Sequence, residues 1–307
     1  RQARRPAGSM TGDMTGNMTG DMTGGAADRL RVAALQYCAA GTADETLAQL
    51  IPMIGRAAAT GAGLVCLPEA ATFLAASRDA LQAAAEWEDD SRSLEMLADS
   101  AATHRIDLLV GSIFVRRRTD SRIVNRAVLI GDDGTIRASY DKIHMFDADV
   151  GDGRRYRESD HFAAGDRLVL TRSGGIGLGL TICYDVRFPH LYRALGRAGA
   201  SVITVPAAFT FPSGRAHWHV LLRARAIETG SFIIAPAQCG THADGRRTYG
   251  HALIISPWGE VLAEAATDDD NPAAGSNDAI IHADLDMQAV ARARSAIPSL
   301  RTDADFS

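Results

Sequence analysis

From Leu30 onward, short and almost unbroken apolar runs alternate with amphipathic helical segments, and this alternation restricts the fold more than any other feature. Residues 30–36, 64–67, 107–114, 176–182, 201–205 and 231–236 each read as a strand buried on both faces, because their hydrophobic residues show no period of two. Between them, 44–59 carries Leu47, Leu50, Ile51 and Ile54 at helical spacing behind Asp44 as a cap. Helices are also expected over 91–103, 189–198 and 216–228. Hairpins are expected at Gly131-Asp132-Asp133-Gly134, between strands 125–130 and 135–140, and at Pro257-Trp258-Gly259, between 250–256 and 260–264. A last strand covers 279–284. Strands alternating with helices, then hairpins, predict an α/β layered fold whose sheets are covered by helices.

The organisation is that of one domain over residues 27–290. Residues 1–26 stand apart: RQARRPAGS is followed by four-residue Met-Thr-Gly repeats with no hydrophobic periodicity, read here as a disordered or tag-like leader. Residues 291–307 read as a polar tail. Between strand and nucleophile motifs, 147–166 is a long polar loop rich in Gly, Asp and Arg, and loops of that length in a compact domain are usually functional.

Charge and cysteine usage exclude several classes. A net charge of −5 gives no basic footprint for nucleic acid, and Arg116-Arg117-Arg118 is only a local cluster. No apolar run reaches membrane-spanning length. Cys38, Cys66, Cys183 and Cys239 are scattered without a CxxC pair, which argues against a zinc knuckle or dithiol redox site and favours reduced thiols in a cytoplasmic protein.

Three reactive residue types fall at predicted strand ends, where side chains from distant positions converge in layered α/β folds: Glu69, Lys142 and Cys183. Cys183 ends the run GIGLGLTIC, and a strand-to-helix turn there would hold its thiol out on a rigid support. Singly, each has a plain structural reading, as a loop carboxylate, a surface lysine and a packed thiol. Together they make chemical sense. A carboxylate takes the thiol proton and passes it to a leaving amine. An ammonium and the Tyr184 N–H then stabilise the oxyanion.

The segments LPEA (67–70), YDKIHMFD (140–147) and ICYDVRFP (182–189) resemble the three active-site motifs of the nitrilase, or carbon–nitrogen hydrolase, superfamily, in matching order. The spacing also agrees, at 73 residues from Glu69 to Lys142 and 41 from Lys142 to Cys183. The resemblance implies a four-layer αββα sandwich and a Glu69-Lys142-Cys183 triad acting on the C–N bond of a small primary amide through a thioester. No cofactor and no metal are implied. AQCGTH (237–242) and RRTYGH (246–251) resemble the Nit branch, nearer its deaminated glutathione amidases than its ω-amidases. An ω-amidase, a nitrilase, an N-carbamoyl amino acid hydrolase and a non-catalytic scaffold are the alternatives.

The superfamily also uses a second acid soon after the lysine, for which Asp149 is the best match and Asp147 the competitor. His219 follows His217-Trp218 where many relatives have Glu, so a polar contact on the substrate side is expected to change. His144 suits a structural hydrogen bond. Arg187 is divided between a substrate carboxylate and an ion pair with Asp185. Phe209 and Trp218 are candidate pocket walls, and Arg154, Arg155 and Arg157 candidates for an anionic substrate or a partner subunit. Cys66 and Cys239 read as packed thiols. The expected partners are a small anionic amide and further copies of the chain, as a homodimer or larger homo-oligomer, with neither nucleic acid nor membrane.

Overall fold

The computed structural model describes residues 28–267 and 277–302. The leader expected over 1–26 lies outside the described residues. In chain order the elements are β1 (Arg29–Tyr37), α1 (Ala43–Ala59), β2 (Leu64–Cys66), α2 (Arg78–Ala84), β3 (Glu86–Trp87), α3 (Arg92–His104), β4 (Asp107–Arg116), β5 (Ile123–Ile130) and β6 (Ile136–Asp141). A separate hairpin, β7 (Asp147–Asp149) and β8 (Arg155–Arg157), precedes β9 (Val169–Ser173), β10 (Ile176–Leu180), α4 (Pro189–Ala198), β11 (Val202–Thr204), α5 (Phe211–Thr229) and β12 (Phe232–Ala235). The chain then runs through β13 (Ala237–Thr241), β14 (Arg247–Tyr249), β15 (Leu253–Ile255), β16 (Val261–Glu264), β17 (Ala279–Asp286) and α6 (Gln288–Ala296).

Two mixed sheets form the centre. One has the order β14-β13-β1-β2-β4-β5-β6, with β17 also pairing β1 and β3 pairing β4; the other runs β16-β15-β12-β11-β10-β9. The pleat sorts the side chains of β1. Ala33 and Leu35 face Leu50, Ile54 and Leu97 of α1 and α3. Val32 and Ala34 join Leu64 and Leu109 in a core shared with Leu178 and Leu180 of β10. That core extends to Leu191 and Tyr192 of α4 and to Trp218 and Leu222 of α5. The layers are therefore helix, sheet, sheet, helix, the αββα sandwich.

Three expectations are corrected. Helix α1 is capped by Thr42, not Asp44: the Thr42 side chain accepts the Glu45 N–H at 3.4 Å and its hydroxyl donates to the Glu45 carboxylate at 2.7 Å, leaving Asp44 in the first turn. The 147–166 loop contains the β7–β8 hairpin and a short 3₁₀ turn, Glu158–Asp160. Residues 291–296, expected to open a tail, are the end of α6, where Ala293 is buried and Arg294 donates to Ala200 O at 2.6 Å and Thr229 O at 3.0 Å; the expected tail beyond 302 lies outside the described residues. Among the described residues no helix is long and apolar enough to cross a membrane.

Candidate active site

Cys183 follows β10 in a five-residue 3₁₀ turn, Cys183–Arg187, and takes the left-handed conformation with φ +47°. A non-glycine residue held there carries strain that its surroundings must enforce. Its N–H donates to Pro206 O at 2.9 Å. Behind it, the Oδ2 of fully buried Asp185 accepts from Ile182 N at 2.9 Å and Tyr140 Oη at 2.7 Å, and its Oδ1 accepts from His144 N at 3.1 Å and lies 2.7 Å from His144 Nδ1. One carboxylate thus ties the nucleophile turn to both sides of the lysine loop. Burial and the Asp185 charge push the Tyr140 phenol far up, so it stays a donor. The thiol is not held out in solvent as the turn suggested; Cys183 is only 8% exposed, at the base of a cavity.

Glu69 reaches the same point from the end of β2. Its Oε1 accepts from Lys142 Nζ and from Asn125 Nδ2, both at 2.9 Å, and its Oε2 accepts the Ala208 N–H at 2.8 Å. Gln238 Nε2 donates to the Glu69 carbonyl at 3.1 Å. The approach depends on Gly111 in β4, where a Cβ would meet Leu67 O at 1.8 Å and Pro206 Cβ at 2.3 Å. Only a glycine lets β4 pass this close to the chain leading into Glu69.

Lys142 is 2% exposed and donates to two carboxylates: Glu69, and Glu158 at 2.9 and 2.8 Å. Glu158 also accepts the Phe146 N–H at 2.6 Å. The second acid on the lysine is therefore Glu158, not Asp149 or Asp147. The β7–β8 hairpin, which pairs Asp147 with Arg157 and Asp149 with Arg155, turns the chain back so that residue 158 returns to Lys142. Exposed Asp149 accepts the Gly151 N–H in the hairpin turn, and Asp147 accepts from Ser159 Oγ at 2.6 Å, fixing the turn that carries Glu158.

Burial disfavours every charge here, and the neighbours decide which charges survive. Burial lifts the Glu69 carboxyl, but Lys142, Cys183 and the Ala208 N–H together hold it below its usual range. Burial pulls the Lys142 ammonium down, and Glu158 and Glu69 outweigh it, so its pKa rises. Cys183 is raised by burial and by Glu69, with Lys142 opposing only in part. These directions favour a carboxylate on Glu69, an ammonium on Lys142 and a neutral thiol on Cys183.

The cavity has a volume of about 460 Å³, with Glu69, Lys142 and Cys183 at its base and Phe209, Phe146 and Tyr184 in its walls. Arg78, Arg154, Arg155, Arg157 and Arg246 line it as well. The remaining sequence candidates separate. Phe209 lines the cavity, whereas Trp218 is fully buried behind it, rings 5.0 Å apart, and donates to His251 O at 2.8 Å. Arg187 forms no pair with Asp185, whose oxygens are taken by Tyr140, His144 and Ile182; its guanidinium lies over the Phe209 and Tyr184 rings, and Nη1 is 3.3 Å from Nδ1 of exposed His217. His219 lies outside the cavity lining, 2.9 Å from Glu264. Cys66 and Cys239 are buried, and burial raises both thiols, Cys239 to about 12. Asn125, Gln238 and Glu158 were not anticipated; for Glu158 the one signal was the length of its loop.

Comparison with known proteins gives the family of the chain. The carbon–nitrogen hydrolase family matches residues 31–295. A deaminated glutathione amidase of Synechocystis sp. is 39% identical over 272 residues, 88% of this chain and 96% of that protein. The crystal structure of the C. elegans NitFhit protein superposes with a TM-score of 0.80 at 31% identity over 90% of this chain, which spans 65% of that longer protein. A mutant amidase from Nesterenkonia sp., 25% identical with a TM-score of 0.70 over 87% of this chain and 94% of its own, carries the acetamide moiety of fluoroacetamide covalently on its active-site cysteine.

Proposed function

This chain belongs to the carbon–nitrogen hydrolase family and is an amidase, and on that footing we propose that Cys183, Glu69 and Lys142 hydrolyse a small primary amide through a cysteine thioester. The observation that carries the assignment is the convergence of a buried carboxylate, a buried ammonium and a buried thiol on a left-handed backbone in the lining of one cavity. Glu69 takes the Cys183 proton as sulfur attacks the carbonyl carbon. The Lys142 ammonium and the Tyr184 N–H stabilise the oxyanion. The C–N bond breaks, ammonia departs with the proton from Glu69, and the acyl group stays on sulfur. Glu69 then deprotonates a water that attacks the thioester, and the acid leaves as the thiol is restored. Glu158 holds Lys142 charged and in place throughout.

The arginines lining the cavity favour an amide with carboxylates remote from the scissile bond, since a guanidinium pairs well with a carboxylate. Such a substrate is consistent with the Synechocystis relative's name, and we assign deaminated glutathione as the first candidate. The test is ammonia release from deaminated glutathione, an α-keto acid ω-amide, a nitrile and an N-carbamoyl amino acid, each at equal concentration. The assignment expects the first to turn over fastest. Preference for the nitrile or the carbamoyl compound would move the chain to another reaction. A homo-oligomer is part of the same reading, supported by the exposed apolar side chains of Val220 and Ile227 on α5, and a monomeric mass in light scattering would refute it.

A further inference from the structure

Away from the cavity lining, His219 of α5, His251 between β14 and β15, and Glu264 of β16 bring three ligand atoms within 4.8 Å of one another. His219 Nε2 is 2.9 Å and His251 Nδ1 2.7 Å from the same carboxylate oxygen, Glu264 Oε1. We propose that this constellation is a divalent metal site, with two imidazole nitrogens and one carboxylate oxygen as ligands for zinc or a similar borderline cation.

Donor chemistry and local construction both support it. Two histidines and a carboxylate form a three-ligand set that suits zinc, completed by water. At metal–ligand bonds of about 2.0–2.1 Å, tetrahedral ligands stand about 3.3 Å apart, so the present hydrogen-bonded atoms need to open by only about half an ångström. The orientation of His251 is fixed from outside the set. Its Nε2 lies 2.6 Å from Thr267 Oγ1, its ring stacks on Tyr249 at 4.3 Å, and its carbonyl accepts the Trp218 indole N–H. Its backbone is left-handed, with φ +53°, a strained arrangement for a residue with a side chain. The ligands are partly open, with side-chain exposures of 33% for His219, 15% for His251 and 37% for Glu264, which leaves a solvent side for water.

Without metal, His219 Nε2 and His251 Nδ1 both face the Glu264 carboxylate oxygen. With metal, each imidazole carries its proton on the other nitrogen, and His251 Nε2–H donates to Thr267, the outer hydrogen bond that commonly orients a metal-bound histidine. The site would join α5 to the β15–β16 hairpin directly behind Trp218 and Phe209, so its role is to brace a cavity wall rather than to act on the amide.

Zinc and cobalt(II) titrations of the full chain test this. Zinc is expected to bind at one equivalent per chain and to raise the melting temperature, with both effects reversed by a chelator. His219→Ala and the near-isosteric Glu264→Gln should weaken uptake by about 100-fold, and Thr267→Val by about 10-fold, while metal-free melting and amide turnover stay near wild type. Cobalt should show d–d bands without a thiolate charge-transfer band, in wild type and in Cys183→Ala alike. Absence of stoichiometric uptake, uptake unchanged in His219→Ala and Glu264→Gln, or a thiolate band lost with Cys183 would each overturn the proposal. None of these outcomes depends on which amide the enzyme prefers.

Discussion

Glu158 Oε2 lies 2.8 Å from Lys142 Nζ, on an ammonium that also donates to Glu69. A lysine shared between two carboxylates stays charged despite burial, and on the proposed mechanism Glu158 aims it while Glu69 exchanges protons. Glu158→Gln keeps the shape and removes the charge. It is expected to lower kcat by about 100-fold or more, the scale of losing one oxyanion contact, with a smaller effect on KM. Asp149→Asn, in the hairpin turn, should leave turnover near wild type. Steady-state kinetics of the two variants separates the two acids.

The pH dependence of stability follows from Glu69 and Lys142. Glu69 titrates below its ordinary value of 4.5, so its stabilising contribution is present above that value and is lost as pH falls through the folded value. Lys142 titrates above 10.5, so its contribution is present below that value and is lost as pH rises through the folded value. The stability difference between wild type and Glu69→Gln should therefore be level from about pH 5 to about pH 10 and shift in favour of the variant in more acidic solution. Urea melts from about pH 3 to about pH 10 check it, and a slope centred near neutrality would contradict the charge assignment.

Gly111→Ala should damage the fold and the site together. The added methyl meets Leu67 O at 1.8 Å and Pro206 Cβ at 2.3 Å, and both neighbours are backbone or ring atoms that yield poorly. A loss of about 3 kcal/mol is expected, read as a lower urea midpoint. Surviving protein should show reduced kcat, because the strained contact lies beside the chain that presents Glu69.

Arg155 lines the cavity without touching the catalytic atoms in its base. Its contact with a remote carboxylate would be equal in ground and transition states, which changes KM and leaves kcat. Arg155→Ala should raise KM for an anionic amide by about 10-fold and leave a neutral amide unaffected. Parallel kinetics on the two substrates is the check.

Much of the arrangement was legible in the chain because its carriers are local. Continuous apolar runs such as Leu108–Val110 mark strands buried on both faces, and their ends locate Glu69 and Cys183. What escaped depended on return paths of the backbone. Glu158 reaches Lys142 only through the β7–β8 hairpin, whose Asp and Arg residues look like solvated loop. Strand β9 was missed because Leu170 and Arg172 face solvent, so its apolar content is too low to stand out. Asp185 looked like a partner for Arg187, two residues away, yet the turn aims it at Tyr140 and His144, more than 40 residues distant in sequence. His219 looked like a substrate contact beside Trp218, but the helix sends the two side chains to different neighbours, Glu264 and the His251 carbonyl.

The most direct test of the central claim is intact-protein and peptide mass spectrometry after rapid acid quench with deaminated glutathione. The account predicts an adduct on Cys183 equal to the amide minus ammonia. It should form and decay within a turnover and be absent in Cys183→Ala, which folds but releases no ammonia. Ammonia release by Cys183→Ala at the wild-type rate, with no covalent species in either protein, would contradict it.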